Sequence, residues 1–375
     1  MITITGLRNI VLVLAGFMIF VLTDCKGGTG SSALKVKSIT QIREYGGRVD
    51  WSKSGSNLVL FDKRNDDGYA EIFVGEPDGI NAVCLTCDEE QINRYHSGNP
   101  VWHPSEEWIV FQSVNQDLAD MFLGIYPGQL DNFKVVSNPG AGWINELWVM
   151  DANGSNFSMI QGVGNEAGIL HPHFSHDGTM LTWAERNGTE GVPYGKWVIR
   201  IADFNTTGSV PQLNNMRTYS FDDNGCFYET HGFTLDDNKI IFSGNPKGQD
   251  PYGFDIYLYD LDTEELTRLT HTDEEWDEHS ILTPDGTQLV WMSTQGIEQG
   301  GIELPLTEFW IMDIDGSNKR RLTYFNDPTS FHYIDKDGVA AADSSWSPDG
   351  KYLMTYVIYR NEDGRPGGNY LIEFE

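Results

Sequence analysis

One phrase recurs six times along the chain: WSKSG from Trp51, WHPS from Trp102, FSHDG from Phe174, FTLDD from Phe233, LTPDG from Leu282 and WSPDG from Trp346. A short apolar run follows each copy: LVLF, WIVF, MLTW, KIIF, QLVW and YLMT. Five copies are followed by a second run, IFVGEPDG (72–79), LWVMDANG (147–154), WVIRIADF (197–204), IYLYDLDT (256–263) and FWIMDIDG (309–316). Three units close on Leu-Thr, in VCLT (83–86), TRLT (267–270) and RRLT (320–323). The Asp-Gly and Asn-Gly pairs between runs are hairpin chemistry, because those residues accept positive φ. Short strands repeating at roughly 50–70 residues cannot bury their faces singly and must stack around an axis. The expected fold is all-β, a six-bladed β-propeller over 34–375.

The two ends explain each other. After WSPDG the chain has YLMT and then NYLIEF (369–374), but no third strand; LKVKSIT (34–40) is a third strand with no blade of its own. The expectation is that 34–40 completes the last blade and closes the ring, which removes exposed sheet edges. Between Trp102 and Phe174 only one strand follows WIVF, so 114–146, rich in Asn, Gly and Pro, reads as a long loop. Its Met121, Phe122, Ile125, Tyr126, Phe133 and Trp143 make either a private miniature core or a docking patch. Cys84 and Cys87 read as a structural bridge or inert thiols; a bridge requires the chain to turn between them.

The formal charge of −30 argues against nucleic acid and against anionic membrane surfaces as partners. It suits solubility in a salty or extracellular setting, or the binding of cations or a basic partner. Residues 1–25 read as an export signal, with Arg8 ahead of an apolar stretch from Ile10 to Leu22. Leu22-Thr23-Asp24-Cys25 resembles a bacterial lipobox, with Asp24 where that motif has Gly, Ala or Ser. KGGTGSS within 26–33 reads as a flexible tether. The expected protein is an exported monomer of the periplasm or cell surface, touching a membrane only through a lipid on Cys25.

The repeats resemble those of the TolB-like six-bladed propellers, most closely in EFWIMDIDGSNKRRLT followed by WSPDGKYLMT. The resemblance covers essentially all of 34–375 and implies the fold. Members of that family serve as envelope scaffolds, as domains on peptidases and as carbohydrate-active enzymes, so it implies no single function.

Chemistry is sought in the segments before each phrase: GRVDW, GNPVW, LHPHF, ETHGF, EHSIL and ADSSW. The run after each phrase is expected to lie innermost, with these segments as loops entering it from one mouth. Three residues before each anchor stand Arg48, Asn99, His171, Thr230, His279 and Asp343, flanked by His173, Glu229, His231 and Glu278. Four of the nine histidines fall here. Imidazoles and carboxylates converging from separate blades can hold one divalent ion, whether zinc, manganese, iron, nickel or calcium. The expected ligands are His171, His231 and His279, with Asn99, His173 and Asp343 lining the funnel. Glu229 or Glu278 is then the general base, Arg48 the partner of a substrate anion, and Tyr228 a proton donor. DEEWDEHSILTPDG (273–286) and FHYIDKDG (331–338) are similar to segments of oligogalacturonate lyases. That resemblance implies a histidine-bound metal in the funnel and carries no ligand across residue by residue. His332 is expected to overhang the same mouth.

Two functions follow. One is an exported, envelope-tethered scaffold that binds a protein or a glycan. The other is a metal-dependent lyase or hydrolase acting on an acidic polysaccharide in the central funnel.

Overall fold

The computed structural model describes residues 34–375 apart from 88, 93, 189–194, 223–225, 247–252, 273, 300–304 and 361–366. The expected signal, lipobox Cys25 and tether lie outside the described residues. Lys35–Glu375 forms one compact unit of six antiparallel four-stranded sheets. No described helix is long and apolar enough to cross a membrane. Val36–Arg43 pairs antiparallel with Gly367–Phe374, from Val36 opposite Phe374 to Arg43 opposite Asn369. The N-terminal strand thus completes the last blade, as the sequence implies, and runs three residues past Thr40.

Each blade has one strand more than the sequence reading assigns. The innermost strand precedes the phrase: Val49–Trp51, Ser97–Trp102, Ala167–Phe174, Tyr228–Phe233, Asp277–Leu282 and Val339–Trp346. The runs expected to line the channel, Val59–Arg64 and its counterparts, are second strands. The segments taken for entry loops are therefore the channel wall itself. They escaped notice because they mix polar and apolar residues without a regular alternation, and three of them contain Gly or Pro.

The phrase is the turn from first to second strand, and its chemistry is local. In four blades its Ser or Thr (Ser175, Thr234, Thr283, Ser347) accepts the N–H that opens the second strand, at 2.8–3.1 Å. The same hydroxyls donate to Asp177, Asp236, Asp285 and Asp349 at 2.6–2.8 Å. Leu-Thr has a matching role: Thr86, Thr270 and Thr323 accept the N–H of Ile72, Ile256 and Phe309 on the third strand, each at 2.9 Å. They donate in turn to Glu71, Asp255 and Glu308.

Between blades, one position on the second strand carries the bulk. Phe61, Phe111, Trp183, Phe242 and Trp291 are fully buried there, with Thr355 in the last blade. The segment 114–146 is helical where a loop was expected, with α1 (Gln116–Ile125) and α2 (Leu130–Val136). Asn115 caps α1 by accepting the Leu118 N–H at 2.9 Å. Phe122, Phe133 and Trp143 pack with Tyr69 and Tyr95 as a private core, whereas Met121, Ile125 and Tyr126 stay exposed. Cys84 and Cys87 form a disulfide where the fourth strand of blade one ends and the chain turns.

The inner strands are tied to one another by side chains. Asp62, buried on the second strand of blade one, accepts the N–H groups of Arg48 at 3.0 Å and Asn99 at 3.2 Å. Gly47 and Gly98 make this possible, since a Cβ at either would come within 2.7 Å of the carboxylate. Gln112 accepts the His171 N–H at 3.0 Å, and Thr230 Oγ1 donates to the His171 carbonyl at 2.6 Å. Ser345 accepts the Trp51 N–H at 2.9 Å, which joins the last blade to the first.

Burial pushes the Asp62 carboxyl up to about 6, against the pull of the Asn99 N–H and the Arg48 charge. The native state therefore holds a proton that the unfolded chain has lost. That stabilisation is full below the unfolded pKa and disappears as pH rises through about 6. Between pH 4 and pH 7 the wild type should lose about 2 kcal/mol more unfolding free energy than Asp62→Asn. Urea denaturation of both proteins at the two pH values checks this; parallel losses would clear Asp62 of the effect.

Candidate metal centre in the central funnel

The inner strands of blades two to six each carry a β-bulge, whereas the short strand of blade one is regular. An extra residue re-aims the side chains beside it. In three blades the bulged residue is left-handed without being glycine: Asn99 at φ 51°, His171 at 49° and His279 at 48°. Asn and His are among the few side chains that tolerate that region. Such conformations persist where their surroundings impose them.

In blade four the bulge falls later, between Thr230 and Phe233, with Gly232 taking the positive φ of 98°. Strand alternation then turns Glu229 and His231 to the channel side and Thr230 away. Thr230 was the residue aligned with the ligands in sequence; its hydroxyl goes to the His171 carbonyl instead.

His171, Glu229, His279 and Asp343, one from each of blades three to six, bring their ligand atoms within 4.8 Å of one another. His171 Nδ1 lies against Glu229 Oε1. His279 Nδ1 is 3.1 Å from the same oxygen and 3.2 Å from Asp343 Oδ1. Arg48 of blade one closes the circle, with Nη1 2.5 Å from Asp343 and 3.9 Å from Glu229.

Charge is distributed unevenly across this group. Burial works to raise Glu229 and Asp343, yet the imidazoles and, for Asp343, chiefly Arg48 overrule it and hold both well below the carboxylate range. Burial works to lower His279, but Asp343 and Glu229 raise it well above an ordinary imidazole. Burial keeps His171 low, with Arg48 adding to the effect. Both ring nitrogens of His171, Oε1 of Glu229 and Nδ1 of His279 are buried without a directed hydrogen bond. Buried polar atoms are ordinarily satisfied, and one ligand atom from each of the four residues converges here. A divalent ion would satisfy one ring nitrogen of His171 together with Glu229 Oε1 and His279 Nδ1. Two imidazoles with two carboxylates suit zinc, manganese, iron or nickel, and suit calcium less because it prefers oxygen.

Several sequence expectations are redistributed. His231 is outside the cluster: its Nε2 pairs with Ser243 Oγ at 2.8 Å, and Asp343 and Glu229 complete the ligand set in its place. Glu229, expected as a base, falls within the group that could hold the ion. Glu278 sits behind His279, 3.6 Å from its Nε2, and accepts the Trp276 indole N–H at 2.8 Å. Burial, with Glu229 nearby, pushes it up to about 8. Tyr228 is not in the site; it lies in the core between blades three and four, and its hydroxyl accepts the Phe221 N–H at 2.9 Å. Asn99 donates its side-chain amide to Gln112 and to the Pro139 carbonyl. His332 Nδ1 accepts the Tyr324 N–H at 3.1 Å and does not line the funnel. Sequence reasoning passed over Ser280 and Ser344, which line the cavity with buried, unpartnered hydroxyls.

The cluster borders a cavity of about 360 Å³ lined by all six inner strands. Pro104, Ser175, Pro284 and Pro348 also line it, so it opens on the face that carries the phrase turns. Its titratable lining comprises seven basic residues, Arg48, Lys53, His171, His173, His176, His231 and His279, and two acidic ones, Asp50 and Asp343. Asp50 is paired with Lys53 and Asp343 with Arg48. Burial keeps His171, His173 and His231 neutral, so the positive charges of the funnel, on Arg48, Lys53 and His279, are each met by a carboxylate.

No family model matches the sequence, and no curated protein does either. Solved structures match the fold. TolB from Acinetobacter baumannii superposes with a TM-score of 0.52 at 16% identity, over 85% of this chain and 64% of that one. An oligogalacturonate lyase in complex with manganese gives 0.50 at 14% identity, over 90% and 91% of the two chains. A putative TolB from Agrobacterium tumefaciens gives 0.44 at 17% identity, over 78% and 86%. The chain spans under two thirds of the Acinetobacter protein's length. Its fold is that of the TolB-like six-bladed β-propellers.

A direct consequence of the cluster concerns thermal stability. Chelator-treated protein should melt at a higher temperature after addition of Mn²⁺ or Zn²⁺, the gain reaching about 2.7 kcal/mol at a hundred times the dissociation constant. His279→Ala should abolish the gain, and scanning calorimetry with and without metal measures it.

Proposed function

We propose that this chain is a metal-dependent enzyme acting on carboxylated saccharides in its central funnel, by elimination next to a carboxylate. The observation that carries this is the four-residue cluster with its unsatisfied buried atoms, set beside a cavity lined by all six inner strands. The fold likeness to an oligogalacturonate lyase in complex with manganese supports the same choice.

His171, Glu229, His279 and Asp343 would hold the ion. A divalent cation there supplies Lewis acidity toward a uronate carboxylate, which makes the proton α to it easier to remove. Arg48, fixed by Asp343 and by the hold of Asp62 on its backbone, neutralises the same carboxylate from the side of blade one. His231 is the base. The tautomer that donates Nε2–H to Ser243 leaves the Nδ1 lone pair free to take a proton, and burial keeps the ring neutral. The α C–H bond breaks, its proton passes to His231, and its electron pair forms the new C=C bond. The glycosidic C–O bond on the adjacent carbon then breaks, and the leaving oxygen takes a proton from solvent. Export and a lipid tether at Cys25 belong to this proposal, because acidic polysaccharides lie outside the cytoplasm.

A second function, as a binding scaffold, is favoured by the exposed Met121 and Ile125 of α1 and Tyr126 just after it, on a TolB-like fold. Elemental analysis and an elimination assay separate the two. Metal-loaded protein incubated with polygalacturonate should generate the ultraviolet absorbance of an unsaturated uronate. Arg48→Lys and His231→Gln should each lower turnover by about a hundredfold at unchanged metal content. Full metal occupancy with no product from any uronate polymer would overturn the enzyme in favour of the scaffold.

A further inference from the structure

The funnel wall is divided one residue beyond the tier of Arg48, His171, His279 and Asp343, toward the mouth. The position two residues before each phrase is held by Val49, Pro100 and Pro172 in blades one to three and by His231, Ser280 and Ser344 in blades four to six. All six line the cavity. Consecutive inner strands touch around the closed ring, so the apolar residues form one continuous arc and the polar residues the other. The polar arc is unsatisfied: the hydroxyl oxygens of Ser280 and Ser344 are buried and have no partner among the described residues. Ser280 as a whole is only 5% exposed. A hydroxyl removed from water without a partner is destabilising unless something else supplies the bond. Nothing in the blade architecture calls for serine here, since Pro100 and Pro172 occupy the same position.

We propose that this two-sided collar is a sugar subsite, in which Ser280 and Ser344 turn their hydroxyls to the ring hydroxyls while Val49, Pro100 and Pro172 take the carbon-hydrogen face. A pyranose has that distribution of surface, with polar edges around apolar faces, and 360 Å³ admits one such ring with its substituents. The subsite rests on the enzymatic proposal only for its orientation, which places the carboxylate of the ring at the cluster below. It adds a selection rule. The site accepts acids whose ring carries hydroxyls and discriminates against equally acidic rings that lack them, because those leave the serines unmatched.

The test uses calorimetric titration of two probes, D-galacturonate and the hydroxyl-free ring acid tetrahydropyran-2-carboxylate. The proteins are metal-loaded wild type and Ser280→Ala/Ser344→Ala, with Ser280→Ala and Ser344→Ala singly as variants that fold if the double does not. Wild type should prefer galacturonate. The serine variants should weaken galacturonate by about tenfold and leave the hydroxyl-free acid unchanged, at wild-type metal content. Equal losses for both probes, no loss for either, or failure of wild type to bind galacturonate would each overturn the subsite. If metal binds but this discrimination is missing, the subsite falls and the metal centre stands. If the serines discriminate in protein that holds no metal, the subsite stands and the metal centre falls.

Discussion

Everything in this molecule depends on one antiparallel pairing, that of Val36–Arg43 with Gly367–Phe374. A four-stranded blade exposes two apolar faces, and each is covered only by the next blade. Six blades in a row would leave one face bare at each end. Joining the first segment of the chain to its last converts the row into a ring and covers both. The ring in turn makes the channel, because the six inner strands have no position left to them except around a common axis. Their side chains then face one another rather than solvent or a core, and the site follows from that enforced proximity.

The fold was legible because its repeating signals are short-range bonds. A Ser or Thr that accepts an N–H five residues on and donates to an Asp two residues on must appear as a local motif, as in Thr283, Asp285 and Gln288. The terminal Thr of each Leu-Thr works across a neighbouring strand but recurs at the same register, so it too is visible. The inner strands obey no such rule. Their residues answer to the channel, where polarity, proline and left-handed backbone all serve, and strand patterning is absent.

The site was half legible for the same reason. Counting back three residues from each phrase finds Arg48, His171, His279 and Asp343, although blade one has no bulge and that of blade six falls one residue earlier. It fails in blade four, where the bulge is displaced and Glu229, not Thr230, reaches the cluster. Gly232 is the visible trace of that displacement. Tyr228 looked eligible by adjacency to Glu229, but neighbours on a strand point to opposite sides, and its ring belongs to the core. The electrostatics were hidden altogether. A net charge of −30 says nothing about a funnel whose carboxylates are already paired and whose imidazoles face inward.

The four cluster residues come one each from four consecutive blades. A cation seated among them would therefore act as a rivet as well as a reagent, spanning three of the blade-to-blade seams at the axis while the N-terminal strand holds the rim. The two fastenings are coupled: splaying of the ring separates the ligands, and occupied ligands oppose splaying. Occupancy of the centre would then report on the integrity of the whole ring, including seams far from any substrate.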